Sequence, residues 1–420
     1  MPELTGDAAL QGALRAALMA SEVARPGRTS ELLGLAVSGG GDSVALLLLL
    51  DDLRRDGGPP LAAVTVDHGL RAEAAAEAAG VARLCAQLGV PHDILRWTEG
   101  PGSGNLMDQA RRARRNLIGQ WARGRGIACV ALAHTADDQA ETFLMRLARG
   151  SGVDGLAAMA PETRAEGIRW LRPLLGLRRA DLRRFLTDRG QGWVDDPTND
   201  DPAHDRTQAR RALDVLAGLG LTPDRLTATA ARQALARDAL ETLASRVAGQ
   251  TARIEAGSVV FSPDLRDAPR ETQLRLLARA IRWVTGTEYR PRFTALTAAL
   301  DSATAATLAG VEITPGKHGL RIARELRACG PTVPPGAVWD NRWRVTGPEA
   351  RAEIRALGAE GLALVPHWRD AGLPRTTLLT SPAAWLEGRL LAAPLARPEA
   401  DWRAIPARDP LSFFTGIFAH

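Results

Sequence analysis

At 420 residues, with 53 basic against 48 acidic side chains and a net charge of +5, the chain has enough length for two or three domains with proper cores. Its apolar runs are too short to cross a membrane: Val44–Leu50 is followed at once by Asp51-Asp52. Cys85, Cys129 and Cys329 lie far apart without Cys-x-x-Cys spacing, which argues against a cysteine metal centre or a disulfide framework; with no basic-then-apolar leader, the expected compartment is the cytoplasm.

Residues 8–23 predict an amphipathic helix. Leu32–Val37 is a short apolar run bounded by turn residues, as a fully buried strand would be. Ser38-Gly39-Gly40-Gly41-Asp42-Ser43 follows, and the apolar run from Val44 suits a buried helix. Strand, glycine-rich turn and helix together aim backbone amides and a helix N-terminus at a phosphate. Asp42 and Ser43 stand where a helix cap would stand. The spacing fits neither Gly-x-x-x-x-Gly-Lys-Ser/Thr nor Gly-x-Gly-x-x-Gly, and the chain's one lysine is the distant Lys317.

After Pro59-Pro60, a second buried strand at Leu61–Val66 ends in Asp67-His68-Gly69-Leu70-Arg71. A helix over Ala72–Leu88, a strand at His92–Trp97, a flexible loop at Gly100–Gly104 and a long helix over Asn105–Arg125 come next. Ile127–Ala133 reads as a further strand, followed by His134-Thr135-Ala136-Asp137-Asp138-Gln139-Ala140-Glu141-Thr142 and a helix through Arg149. Four alternations of strand and helix predict a doubly wound α/β domain with a parallel sheet. The glycine loop, Asp67-His68 and His134 then gather on one sheet edge, where such folds hold ligands.

Arg149–Gly155 is a turn-rich link; Arg172-Pro173-Leu174-Leu175 and a helix over Arg178–Arg189 follow. Trp193 precedes the turn-forming loop Asp195–Asp200. The first domain is expected over 1–213. A mainly helical domain is expected over 214–330, with helices at Ala230–Val247 and Thr272–Trp283 and another capped by Arg290-Pro291-Arg292. Within it, Thr307–Arg324 alternates like a hairpin turning at Pro315-Gly316. A small mixed or β-rich unit, marked by prolines and by Trp339, Trp343, Trp368 and Trp385, is expected over 331–420. Arginines cluster at 111–125, at 172–189 and at Arg206, Arg210 and Arg211; this is the electrostatic footprint of a nucleic-acid partner, against the alternative of solvated helix faces paired to nearby acids.

Ser-Gly-Gly-x-Asp-Ser after a buried strand resembles the pyrophosphate loop of the N-type ATP pyrophosphatases. Together with Val66–Arg71, Ala110-Arg111 with Arg114, His134–Thr142, Arg149–Gly152, Arg172-Pro173-Leu174 and Asp196-Pro197-Thr198-Asn199, it resembles the tRNA(Ile)-lysidine synthetase family across residues 32–211. Arg115 stands where that family usually has tyrosine, and Thr207 where asparagine commonly follows the Arg206 position.

The resemblance implies adenylation of the wobble cytidine of a CAU-anticodon tRNA(Ile) by ATP, then attack by free L-lysine with loss of AMP. It implies ATP on Ser38, Gly39, Gly40, Gly41, Asp42 and Ser43 with Asp67 and His68, and Mg²⁺ on Asp42. Asp42, Arg111, Arg114, Asp137 and Asp138 would carry catalysis, Asp137 and Glu141 would hold lysine, and Arg178, Arg179, Arg206 and Arg210 would contact tRNA. A homodimer is also expected from the family. The chemistry of the residues agrees: loop amides and Mg²⁺ neutralise departing pyrophosphate, and anions hold the amine. Against this stand a capping role for Asp137 and packed strand-end roles for His68 and His134. Another N-type ATP pyrophosphatase acting on a different substrate, or a nucleotide-binding module without turnover, are the competing readings.

Overall fold

The computed structural model describes residues 6–21, 31–69, 73–98, 100, 106–195, 205–287 and 289–415; Leu70-Arg71, residues 101–104 and Asp196–Asp200 of the sequence reading lie outside these. The chain divides into two compact units, with the boundary between Arg237 and Asp238.

The first unit runs α1 (Asp7–Ala20), β1 (Leu33–Ala36), α2 (Gly41–Arg55), β2 (Leu61–Asp67), α3 (Ala74–Leu88), β3 (His92–Arg96), α4 (Leu106–Gly124), β4 (Cys129–Ala131), α5 (Ala136–Ala148), α6 (Val153–Leu156), β5 (Glu162–Ala165), β6 (Ile168–Leu171), α7 (Arg179–Asp188), α8 (Asp205–Ala217) and the start of α9 (Pro223–Thr251). Its sheet has the order β3-β2-β1-β4-β6-β5. All neighbours pair in parallel except the β5–β6 hairpin, which adds an antiparallel edge.

Helix α2 is apolar nearly all round because it is covered on both sides. Leu46, Leu47, Leu49 and Leu50 share one core with Leu33 and Leu35 of the sheet, Leu10, Leu14 and Leu18 of α1, and Leu182, Phe185 and Leu186 of α7. The other sheet face carries α4 through Ile118, Trp121 and Ala122. Gly34 of β1 lies under that helix, where a Cβ would sit 3.0–3.1 Å from Val130, Ile127 and Trp121. With both faces covered, ligand access is left to the strand ends.

The second unit holds a five-stranded antiparallel sheet, order β7-β8-β11-β10-β9, built from β7 (Ala252–Glu255), β8 (Ser258–Phe261), β9 (Ala306–Leu308), β10 (Val311–Gly316) and β11 (Gly319–Arg324). Helices α10 (Arg270–Thr285) and α11 (Phe293–Asp301) share its core with Ala244 and Ala248 of α9. The expected helices are present, and the sheet joins them. The expected hairpin forms with its turn two residues later, at Lys317-His318.

Beyond it, β12 (Val338–Trp339), β13 (Trp343–Thr346), β14 (Glu353–Ala356), α12 (Gly358–Ala363), α13 (Arg375–Leu379), β15 (Pro382–Leu386), β16 (Arg389–Ala392), β17 (Arg403–Pro406) and α14 (Ser412–Thr415) form two three-stranded sheets with buried tryptophans between them. Among the described residues, no helix is long and apolar enough to cross a membrane.

Candidate active site

The parallel register brings the carboxyl ends of β2, β1 and β4 side by side, and with them Asp67-His68, Ser38–Ser43 and His134–Glu141. Gly39 turns the chain out of β1 with φ +90°, a conformation open to glycine. The Ser43 hydroxyl then closes the loop from within: it accepts from the Ser38 amide at 3.2 Å and donates to the Gly40 carbonyl at 2.8 Å. The N-cap of α2 is Gly40, with no side-chain cap. This corrects the expected capping role of Asp42 and Ser43: Ser43 is spent on the loop and Asp42 on a distant arginine. The first amides of α2 are therefore left without a side-chain acceptor among the described residues, as an anion site requires.

The segment after α7 lies on this loop. The Val194 amide donates to the Gly39 carbonyl at 3.0 Å, and a Cβ on Gly41 would meet the Trp193 ring at 3.3 Å. Arg183 pairs with Asp195 at 2.7 Å and stacks over the Trp193 ring. Trp193 and Val194 were not among the expected site residues; their sequence signal was only a tryptophan before a turn-rich loop.

Helix α5 starts with a capping box. The Thr135 side chain accepts from the Asp138 amide, while Asp138 Oδ2 accepts from the Thr135 amide at 2.8 Å and hydroxyl at 2.9 Å. Thr135 is the cap, so Asp137 is free for another partner. Its Oδ2 accepts from the Arg179 amide at 2.7 Å, and Arg178 forks onto it while also reaching Asp224 at 3.2 Å.

Arg179 joins the loop to α5: its Nε donates to Asp42 Oδ2 at 2.9 Å, Nη2 meets Asp138 Oδ1 at 3.2 Å, and Nη1 lies 3.6 Å from Glu141 Oε1. From α8, Arg206 approaches Asp138 at 3.6 Å and Arg210 binds Glu141 at 3.0 Å. The four arginines expected to face tRNA thus all have carboxylate partners in this cluster.

The carboxylates differ in charge state. Burial raises Asp42 above the usual carboxylate range against the pull of Arg179, and burial with neighbouring Asp138 raises Glu141. Burial pushes Asp138 the same way, but Arg179 and the Thr135 amide outweigh it and hold it low. Asp42 Oδ1 and Glu141 Oε2 are buried without a hydrogen-bond partner among the described residues.

His134 is driven down to about 3 by burial, so it is neutral near pH 7; burial and then Arg114 also lower His68, whose ring meets Trp97 edge-on. Asp67 Oδ1 accepts from the Gly69 amide at 2.9 Å. Arg111 and Arg114 stand exposed on α4, Arg111 near enough to His134 and Arg172 to bias their titration. Arg115 lies over the Trp170 ring, 3.6 Å from Glu166, and Thr207 is buried in α8.

Among the described residues, no group of three or more His, Cys, Asp or Glu is arranged to hold a metal. The orphaned Asp42 oxygen nevertheless suits Mg²⁺, which takes one or two carboxylates and completes its shell with phosphates and water. The thiols do not invite sulfur chemistry: burial pushes Cys85 to about 11 and Cys129 to about 12.

Comparison with known proteins narrows what this site serves. A PP-loop domain family matches residues 14–215. The tRNA(Ile)-lysidine synthase of Ruegeria pomeroyi is 46% identical over 394 residues, covering 92% of this chain and 94% of the relative. That of Mesorhizobium japonicum is 37% identical over 406 residues, with 91% and 88% covered. That of a Bradyrhizobium strain (BTAi1) is 45% identical over 275 residues, with 63% and 76% covered.

Proposed function

The chain belongs to the tRNA(Ile)-lysidine synthase family, ATP-binding PP-loop ligases, and from that premise we propose how its residues divide the reaction. ATP enters with its β and γ phosphates against the amides of Ser38–Ser43 and the first turn of α2. The wobble cytosine O2 attacks the α-phosphorus, the bond to the bridging oxygen breaks, and pyrophosphate leaves. Loop amides stabilise that developing charge in place. Mg²⁺, held through Asp42, would supply further neutralisation of the leaving pyrophosphate. Asp67 and His68, at the neighbouring strand end, face the nucleotide. Arg111 and Arg114 offer positive charge to the α-phosphate as the new P–O bond forms.

In the second step the ammonium of free L-lysine gives a proton to one of the site's carboxylates, the resulting amine attacks C2 of the adenylated cytidine, the C2–O bond breaks and AMP departs. Asp137, Asp138 and Glu141 receive the ammonium group and draw it beside the reacting carbon, with Arg178, Arg206 and Arg210 setting their orientation and meeting the RNA backbone. Neutral His134 adds no charge to repel the amine.

The observation that carries this reading is the juxtaposition of an uncapped phosphate loop with a carboxylate trio on the adjacent strand end, bridged by one arginine. The test uses purified chain, Mg²⁺, ATP, labelled lysine and an unmodified CAU-anticodon tRNA(Ile) transcript. Label should enter the tRNA with ATP alone as nucleotide, releasing AMP and pyrophosphate in equal amounts. ADP as product, or AMP release indifferent to tRNA, would reject it.

A further inference from the structure

We propose that Arg179 is a tethered cation that occupies the lysine pocket until nucleotide fills the phosphate loop, so that lysine binds after ATP. This rests on the assignment of Asp137, Asp138 and Glu141 to lysine. One guanidinium spans both half-sites, 2.9 Å from Asp42 in the loop and 3.2 and 3.6 Å from Asp138 and Glu141 on α5. An ammonium group and a guanidinium seek the same oxygens, and two like charges in one half-buried pocket exclude each other. Arg206 and Arg210 approach Asp138 and Glu141 from α8, whereas Arg179 joins those carboxylates to the loop.

The main chain under Arg179 is pinned. Its amide donates to Asp137, and the preceding Arg178 forks onto Asp137 and Asp224. Release therefore needs only side-chain rotation, not movement of α7. A bound triphosphate gives the guanidinium a stronger and bidentate anion. Asp42 can then give up Arg179 for the cation that accompanies ATP, and its unpartnered Oδ1 shows that its acceptor capacity is not saturated. Arg179 swings toward phosphate, and Asp138 and Glu141 open to lysine. Such an order keeps the amine out until the cytidine is ready to be activated.

The experiment is equilibrium dialysis of labelled lysine against the full chain with Mg²⁺, with and without the α,β-methylene analogue of ATP. Wild type should bind lysine about tenfold tighter with the analogue, and by linkage lysine should tighten the analogue by the same factor. Arg179→Gln should bind lysine without nucleotide and lose the coupling, while Arg179→Lys, which keeps the charge, should restore its direction. Equal lysine affinity in wild type with and without the analogue overturns the gate and leaves the pocket assignment standing. Full coupling retained in Arg179→Gln also overturns it. No lysine binding by wild type in either state rejects the pocket assignment and the gate with it. The wild-type comparison decides even if Arg179→Gln fails to fold.

Discussion

Arginine and carboxylate are paired densely in both units, yet the two arrangements differ in one respect. In the second unit Glu241 receives Arg275 on one oxygen and Arg279 on the other, and both arginines are buried. Asp340 is filled likewise: Oδ1 takes Arg324 and the Gly330 amide, and Oδ2 takes Arg324 and Arg342. Burial works to raise Glu241, but Arg279 and Arg275 outweigh it and hold the carboxyl below its ordinary range. In the first unit Asp42 and Glu141 are each left with an unpartnered oxygen and lie above that range. An unpartnered oxygen alone does not mark a site, since Glu271 Oε2 beside Arg275 is also left over; what sets Asp42 and Glu141 apart is their place, joined by one arginine, next to the uncapped loop.

That contrast can be broken at several points. Glu241→Gln leaves buried Arg279 without its carboxylate, while Arg275 keeps Glu271; the variant should cost roughly 3–5 kcal/mol in urea unfolding, and a loss under about 1 kcal/mol would rank the pair with exposed ones. Asp42→Asn removes an anion that saturation does not protect, and should lower pyrophosphate formation on the order of 10²–10³-fold while tRNA binding stays nearly unchanged. Parallel loss of tRNA binding in a filter assay would remove Asp42 from ATP chemistry. Glu141→Gln should raise the KM for lysine about tenfold or more, the worth of about 1.5–3 kcal/mol for a charged contact, with the KM for ATP unmoved.

The smallest effect is one of pH. His134 has a folded value of about 3 against an ordinary one near 6.5. As pH falls below about 6.5 the unfolded chain gains a proton that the folded site refuses, so stability declines from there toward pH 3. His134→Asn should flatten that decline between pH 7 and 5; unfolding midpoints that fall in parallel for both proteins would show that His134 does not titrate this way.

The catalytic half was legible because β1, the glycine loop and α2 announce themselves locally, and because β2 and β4 end in polar runs. What escaped depends on partners far along the chain. Asp42 looked like a cap until Arg179, 137 residues away, took its carboxylate. The arginine clusters were legible as clusters, but their carboxylate partners were not, because sequence does not show which acids lie opposite. Short hairpins escaped for a different reason.

Glu166-Gly167, Ala256-Gly257, Ala309-Gly310 and Glu387-Gly388 are two-residue turns with both φ values positive, each closing a pair of short strands. Such turns usually advertise themselves as Asn-Gly or Asp-Gly. Here alanine or glutamate stands first, and the two extra strands of the first sheet, with β7 and β8 of the second unit, went unread.

The Ser43 hydroxyl, stitched to Ser38 and Gly40, gives the phosphate loop its shape from the chain's own groups. A loop held by its own side chain in this way has less backbone freedom to lose when it closes on an anion. A loop cut loose by Ser43→Ala would have to freeze anew at every turnover, and the handicap would grow with temperature as the slack chain gained freedom.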